Sequence, residues 1–120
     1  MITNFGKMSD KHLKRIEEER SNSKPGFKDD FKKPDLDLVL GDFTRALQLV
    51  GEVGTKGANK YSDHGWLEVR EGKRRYSSAM LRHYFKEEEG EWEDEELELP
   101  HAACVAWNAL ARLELILREQ

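Results

Sequence analysis

LPHAACVAWNALARLELIL, residues Leu99 to Leu117, is apolar on most sides at helical spacing. A helix of that kind lies in a core. His101, Cys104 and Asn108 follow one another at i, i+3 and i+7 and therefore share one face. A second stripe, Ala103, Trp107, Leu110, Leu113 and Leu117, runs along a neighbouring face. Buried polar groups need partners, and either the protein itself or a bound ligand or metal supplies them. Pro100 and His101 can equally serve only to start the helix.

Upstream of this helix lies KEEEGEWEDEELE, residues 86–98, with one Lys against nine acids. It reads as a solvated linker or as a source of carboxylates for a hard cation such as Mg²⁺. Before it, Tyr76, Ala79, Met80 and His83 keep helical spacing within a helix expected from about Tyr76 to Glu89. His83 sits at the centre of that stripe, with Arg82 beside it. It is either a hydrogen-bonded core histidine or a ligand, and Glu87 and Asp94 are the carboxylates in reach. Facing imidazoles at 83 and 101 would invite a shared polar partner.

Phe43, Ala46, Leu47, Val50 and Val53 mark another helix, capped by Asp42 and ended by Gly54 and Gly57. Glu52 falls opposite its apolar stripe. Residues 58–74 are expected as a loop, with Lys56, Lys60, Tyr61, His64 and Trp66 in or next to it. Lysines bind phosphate as point charges, and an aromatic ring can stack on a base. A plain surface loop anchored by Trp66 fits the same residues. Asp35–Leu40 alternates Leu36, Leu38 and Leu40 on one side, as a short extended stretch would. Residues 1–24 are expected as a flexible, poorly anchored arm with a short charged helix from Ser9 to Arg20. SNSKPG, residues 21–26, is a breaker cluster, and residues 25–120 are expected as a single domain.

Three helices close a core poorly alone. The expected fold is all-α, a small bundle of three main helices with long loops, completed as a homo-oligomer. The chain has 120 residues, 20 basic and 24 acidic, for a net charge of −4. That balance argues against nucleic acid as a partner. Cys104 is the single cysteine, so no disulfide forms within the chain. No apolar run is long enough for a membrane span, and no signal-peptide pattern opens the chain. A cytoplasmic protein is expected.

Five motifs occur in register. They are G-x-K-D-D-x-x-K-P at Gly26–Pro34, E-x-x-x-x-G-A-x-K-Y at Glu52–Tyr61, Trp66, the Arg82–His83 pair, and D-x-E…L-P-H…W-N-A-L at Asp94–Leu110. On these the chain resembles the small phage-type dATP/dGTP diphosphohydrolases, relatives of the all-α MazG-like nucleoside triphosphate pyrophosphohydrolases. The resemblance implies hydrolysis of purine deoxynucleoside triphosphates to monophosphate and pyrophosphate with Mg²⁺ or Mn²⁺, in the shaping of a phage or prophage nucleotide pool. It implies Glu52, His83 and Asp94 as the catalytic group, and Glu52, Asp94 and Glu96 as metal ligands. Arg82, Lys56 and Lys60 would bind phosphate, Lys28 and Lys33 would close over the site as further substrate contacts, Tyr61 or Trp66 would stack on the base, and His101 and Asn108 would contact the sugar or base edge or orient a metal-bound water.

The chain departs from the family pattern at three places. The family helix H-x-x-H-x-x-x-N has Cys104 at its second His, and thiols are poor Mg²⁺ ligands. The D-x-E-T/S-G turn is Asp94-Glu95-Glu96-Leu97-Glu98 here. The strict E-x-x-E-E…E-x-x-D signature of the MazG proteins is absent. Two other readings therefore stand beside the first: an HD-like phosphohydrolase with His83 and His101 as ligands, and a nucleotide-binding or interaction module without catalysis.

Overall fold

A computed structural model describes residues 9–22 and 25–120. They form two compact units that divide between Asp42 and Phe43. The first unit holds α1, Asp10–Asn22, and a one-turn helix, α2, Asp37–Leu40. Part of the arm expected over residues 1–24, namely 1–8 and 23–24, lies outside the described residues. Residues 35–40 are not extended. Asp35 Oδ1 accepts the Asp37 amide at 3.1 Å, which turns the chain into α2 instead. Leu36, Leu38 and Leu40 are all exposed.

The second unit carries α3, Thr44–Lys60, a 3-10 turn at Gly65–Glu68, α4, Gly72–Glu88, and α5, His101–Arg118. The fold is all-α, as the periodicity predicts. Among the described residues the only strand-like pairing is an isolated antiparallel bridge between Glu93 and Pro100. Helix α5 is central: α4 packs antiparallel along it, and α3 packs on another side. Lys73 Nζ meets Glu119 Oε2 at 3.1 Å, Arg112 Nε donates to Ser77 Oγ at 2.8 Å, and His83 meets His101 at the opposite end.

Three helix limits differ from the sequence reading. Asp42 does not cap α3. Phe43 is the cap residue, without a side-chain bond, and Asp42 stands one residue too early to reach the first free amides. Gly54 and Gly57 do not end α3 either. The helix runs through both to Lys60, so the expected loop over 58–74 shrinks. Gly54 is small because α5 passes close: a Cβ there would stand 3.2 Å from Trp107 Nε1. Helix α4 begins a turn earlier than expected, at buried Gly72, where a Cβ would stand 3.1 Å from Leu115 Cδ1.

The core is small. Val53 of α3 packs with Leu99, Ala103 and Cys104, and Leu49, Leu97 and Trp107 close over them. Burying a side chain such as Val53 contributes roughly 1.5–3 kcal/mol. Trp66, Tyr76 and Trp107 form an aromatic trio with edge-on contacts at 5.5–6.1 Å, and Tyr76 Oη donates to the Trp66 carbonyl at 2.6 Å. The second stripe expected on α5 is only half covered. Ala103 and Trp107 pack, while Leu110, Leu113 and Leu117 remain exposed.

Candidate functional site

The site is built by the reversal between α4 and α5. Gly90 takes φ +100°, a left-handed conformation that glycine adopts without strain. The Gly90 amide donates to the Glu87 carbonyl and the Glu91 amide to the Lys86 carbonyl, both at 3.0 Å. This is a Schellman ending, and it delivers Glu91 next to the start of α5. The acidic run that follows is folded, not a loose linker. The His101 amide donates to the Trp92 carbonyl at 2.9 Å, and the Asp94 amide to the Leu99 carbonyl at 2.9 Å. Asp94 Oδ2 accepts the Leu97 amide at 2.8 Å, closing the turn from within.

Two imidazoles meet at the foot of this loop. His83 Nδ1 and His101 Nδ1 are 2.8 Å apart, and His101 is buried, with 2% of its surface exposed. His101 Nε2 lies 2.6 Å from Glu91 Oε2. A carboxylate accepts only, so the Nε2 proton belongs to His101. Neutral His101 then carries its lone pair on Nδ1 and accepts from His83 Nδ1–H. Asp94 Oδ1 stands 3.9 Å from His83 Nδ1. Burial lowers the His83 pKa, Asp94 opposes that shift, and His101 and Arg82 add to it. One ligand atom each from His83, Asp94 and His101 fall within 4.8 Å of one another. Two imidazole nitrogens and a carboxylate oxygen are a donor set that fits a divalent cation.

Above the pair opens a cleft of about 360 Å³, lined by Arg82, Lys86, Glu95 and Glu96 as well as the groups just named. Sites for small molecules fall in the range of about 300–1,000 Å³. Lys60 of α3 is ion-paired with Glu96, and Lys56 donates to the Leu97 carbonyl. Glu52, Lys56 and Lys60 are spaced i, i+4 and i+8, so one face of α3 runs toward the loop. His83, Arg82, Asp94, Glu96, His101, Lys56 and Lys60 are thus gathered in one region. Glu52 is exposed and does not line the cleft. Tyr61, next to Lys60, is 76% exposed.

Trp66 and Asn108, also expected at the site, are engaged elsewhere in the second unit. Trp66 is engaged in the aromatic trio. Asn108 is buried and donates from Nδ2 to the Cys104 carbonyl at 2.8 Å, within its own helix. Lys28 and Lys33 lie exposed on the first unit. Cys104 is 1% exposed, and burial, with Asp94 adding, pushes its thiol up to about 11. It stays a protonated thiol in the core, beside the cluster in sequence but not a donor to it. Sequence reasoning missed Glu91 and Lys86. The signal for Glu91 was Gly90, since a glycine just past a helix end fixes where the next residue goes.

Among the described residues no helix is long and apolar enough to cross a membrane. No curated protein and no solved structure matches the chain. The family model for the dATP/dGTP diphosphohydrolase N-terminal domain does match, over residues 23–120. That span covers both the folded acidic loop and the imidazole pair, and the chain belongs to the dATP/dGTP diphosphohydrolase N-terminal family.

Proposed function

We propose that the cleft between α4, α5 and the acidic loop hydrolyses purine deoxynucleoside triphosphates, dATP or dGTP, to monophosphate and pyrophosphate. The observation that carries this reading is the convergence of Arg82 and Lys86 with His83, Asp94 and His101 in one cleft, in a chain of this family. A divalent cation, Mg²⁺ or Mn²⁺, would neutralise phosphate charge and polarise the α-phosphoryl group.

The chain's own residues divide the remaining work. Arg82 and Lys86 bind phosphate oxygens from the α4 side, and Lys56 and Lys60 approach from α3. The attacking water forms its bond to the α-phosphorus as the bond to the departing pyrophosphate breaks. Glu96, held at the rim by Lys60, orients that water and takes up its proton. Positioning and charge compensation supply most of the rate in phosphoryl transfer. Tyr61 is the ring available to stack on the base, because Trp66 is engaged edge-on by Tyr76 and Trp107. The exposed faces of α4 (Leu81, Tyr84, Phe85) and α5 (Leu110, Leu113, Leu117) support assembly into a homo-oligomer.

Product analysis tests the reading. Full-length protein is incubated with each common nucleoside triphosphate and Mg²⁺ or Mn²⁺, and the products are separated. Monophosphate plus pyrophosphate from dATP or dGTP, lost in Arg82→Ala, supports it. The pairing of two imidazoles with Asp94 favours one rival, the HD-like mechanism. Release of nucleoside and inorganic triphosphate would decide for that rival.

A further inference from the structure

We infer that His83, Asp94 and His101 form a site for a divalent transition-metal ion, with Glu91 as its positioning residue, in preference to Mg²⁺. The inference rests on the proposed function for its role in turnover, though not for the binding itself.

The donor atoms argue for the metal class. Mg²⁺ selects carboxylate, phosphate and water oxygens, whereas imidazole nitrogen suits Mn²⁺, Co²⁺ and Zn²⁺ progressively better. Glu52, Asp94 and Glu96, an all-oxygen set, are not gathered at one point. Glu96 is tied to Lys60, and Glu52 lies off the cleft. Among the described residues the set that does converge is His83, Asp94 and His101.

The spacing is compatible with one shared ion. Ligands about 2.0–2.2 Å from a metal stand about 3 Å apart when they are adjacent. The two Nδ1 atoms are already at 2.8 Å. Asp94 Oδ1 stands 3.9 Å from His83 Nδ1, and all three donor atoms lie within 4.8 Å of one another, so the carboxylate has to close on the imidazole pair to share one ion. The Asp94 carboxylate is also pre-aimed, because its other oxygen is held by the Leu97 amide.

Glu91 supplies what a histidine ligand needs. Metal-bound histidines usually donate their second N–H to a carboxylate, which fixes the tautomer and the ring plane. His101 Nε2 to Glu91 Oε2, at 2.6 Å, is that bond, and it leaves the Nδ1 lone pair facing His83 and Asp94. Metal binding displaces the proton that the two Nδ1 atoms now share.

The test is direct binding to the metal-free full-length protein. Co²⁺ is titrated by its ligand-field absorption, with Mg²⁺ in large molar excess as competitor, and far-UV circular dichroism checks the fold. The expected result is a single Co²⁺ that Mg²⁺ does not displace, loss of that binding in His83→Gln, and weakening by about 10–100-fold in Glu91→Gln. His83 is only partly buried and Glu91 lies on the rim, so both variants keep the helical signal. Co²⁺ binding that is unchanged in both variants, is displaced by Mg²⁺, or does not occur overturns the inference. Turnover is scored separately. Protein that hydrolyses dATP with Mg²⁺ but binds no Co²⁺ sinks the inference and keeps the function. Protein that binds Co²⁺ but turns over no nucleotide does the reverse.

Discussion

Gly54 backs directly onto Trp107: a Cβ at position 54 would stand 3.2 Å from the indole Nε1. Gly51 and Gly57, on the same helix, have nothing within 4 Å of a Cβ. Glycine in a helix interior costs about 1 kcal/mol relative to alanine. Gly51→Ala and Gly57→Ala should each stabilise the protein by about 0.5–1 kcal/mol. Gly54→Ala should gain less, because the indole must shift, and Gly54→Leu should cost about 1–3 kcal/mol by forcing α3 from α5. Urea unfolding of the four variants checks the ordering, and a stabilised Gly54→Leu would contradict the close approach.

The pH dependence follows from His83. Burial lowers its pKa in the folded protein, while the unfolded chain titrates near the ordinary value of about 6.5. Between those two values the unfolded state binds more protons, so stability rises with pH there. The contribution is fully present above about pH 6.5 and is lost as pH falls through the folded pKa. Urea midpoints of chelator-treated protein should fall on acidification below about pH 6.5, and His83→Gln should flatten that part of the curve.

Cys104 should be inert in the native protein. Its thiol is buried, with a pKa pushed up to about 11, and the thiolate is the reactive form. Iodoacetamide near pH 8 should leave it unmodified until denaturant is added, as read by intact-mass spectrometry. Rapid native alkylation would show that the core around Val53, Leu99 and Ala103 opens readily.

Arg82 lines the cleft and donates from Nη1 to Ser78 Oγ at 3.0 Å, and the proposed function gives its other nitrogens to phosphate. Arg82→Ala should lower kcat/KM for the nucleotide by about 10–100-fold, roughly 1.4–2.7 kcal/mol of transition-state binding. The side chain is exposed, so the thermal midpoint should hardly move. Lys86→Ala should act in the same direction. An unchanged kcat/KM in both variants would remove this cleft as the phosphate site.

Much of this architecture is written in local sequence. The stripes ending at Val53 and His83, and the His101–Cys104–Asn108 face, are runs of helical spacing, and each became a helix. Spacing also carried His83 and His101 toward one another. It failed where tertiary contact decides. Gly54 looks like a helix end until α5 is laid beside it. Trp66 reads equally as a base-stacking ring or as the anchor of a surface loop until Tyr76 and Trp107 close around it. Leu36–Leu40 alternates like a strand, but Asp35 captures the Asp37 amide and makes a helical turn. The acidic run hid Glu91 and Asp94 among like residues, because charge density alone does not show which carboxylates fold inward.

Glu91, Asp94 and His101 lie in one continuous stretch of chain, and His83 is only eighteen positions from His101. Loop closure over so short a span costs little entropy, and all four groups of the imidazole–carboxylate cluster come from the α4–α5 hairpin. Helix α3 reaches the same cleft only at its rim, through Lys56 and Lys60. The two halves of the site therefore meet on the acidic loop, where Lys60 pairs with Glu96 and Lys56 donates to the Leu97 carbonyl. On the proposed function, substitutions on α3 would reach both the grip on a polyanion and the loop that carries Asp94, so α3 and the α4–α5 hairpin would have to vary together.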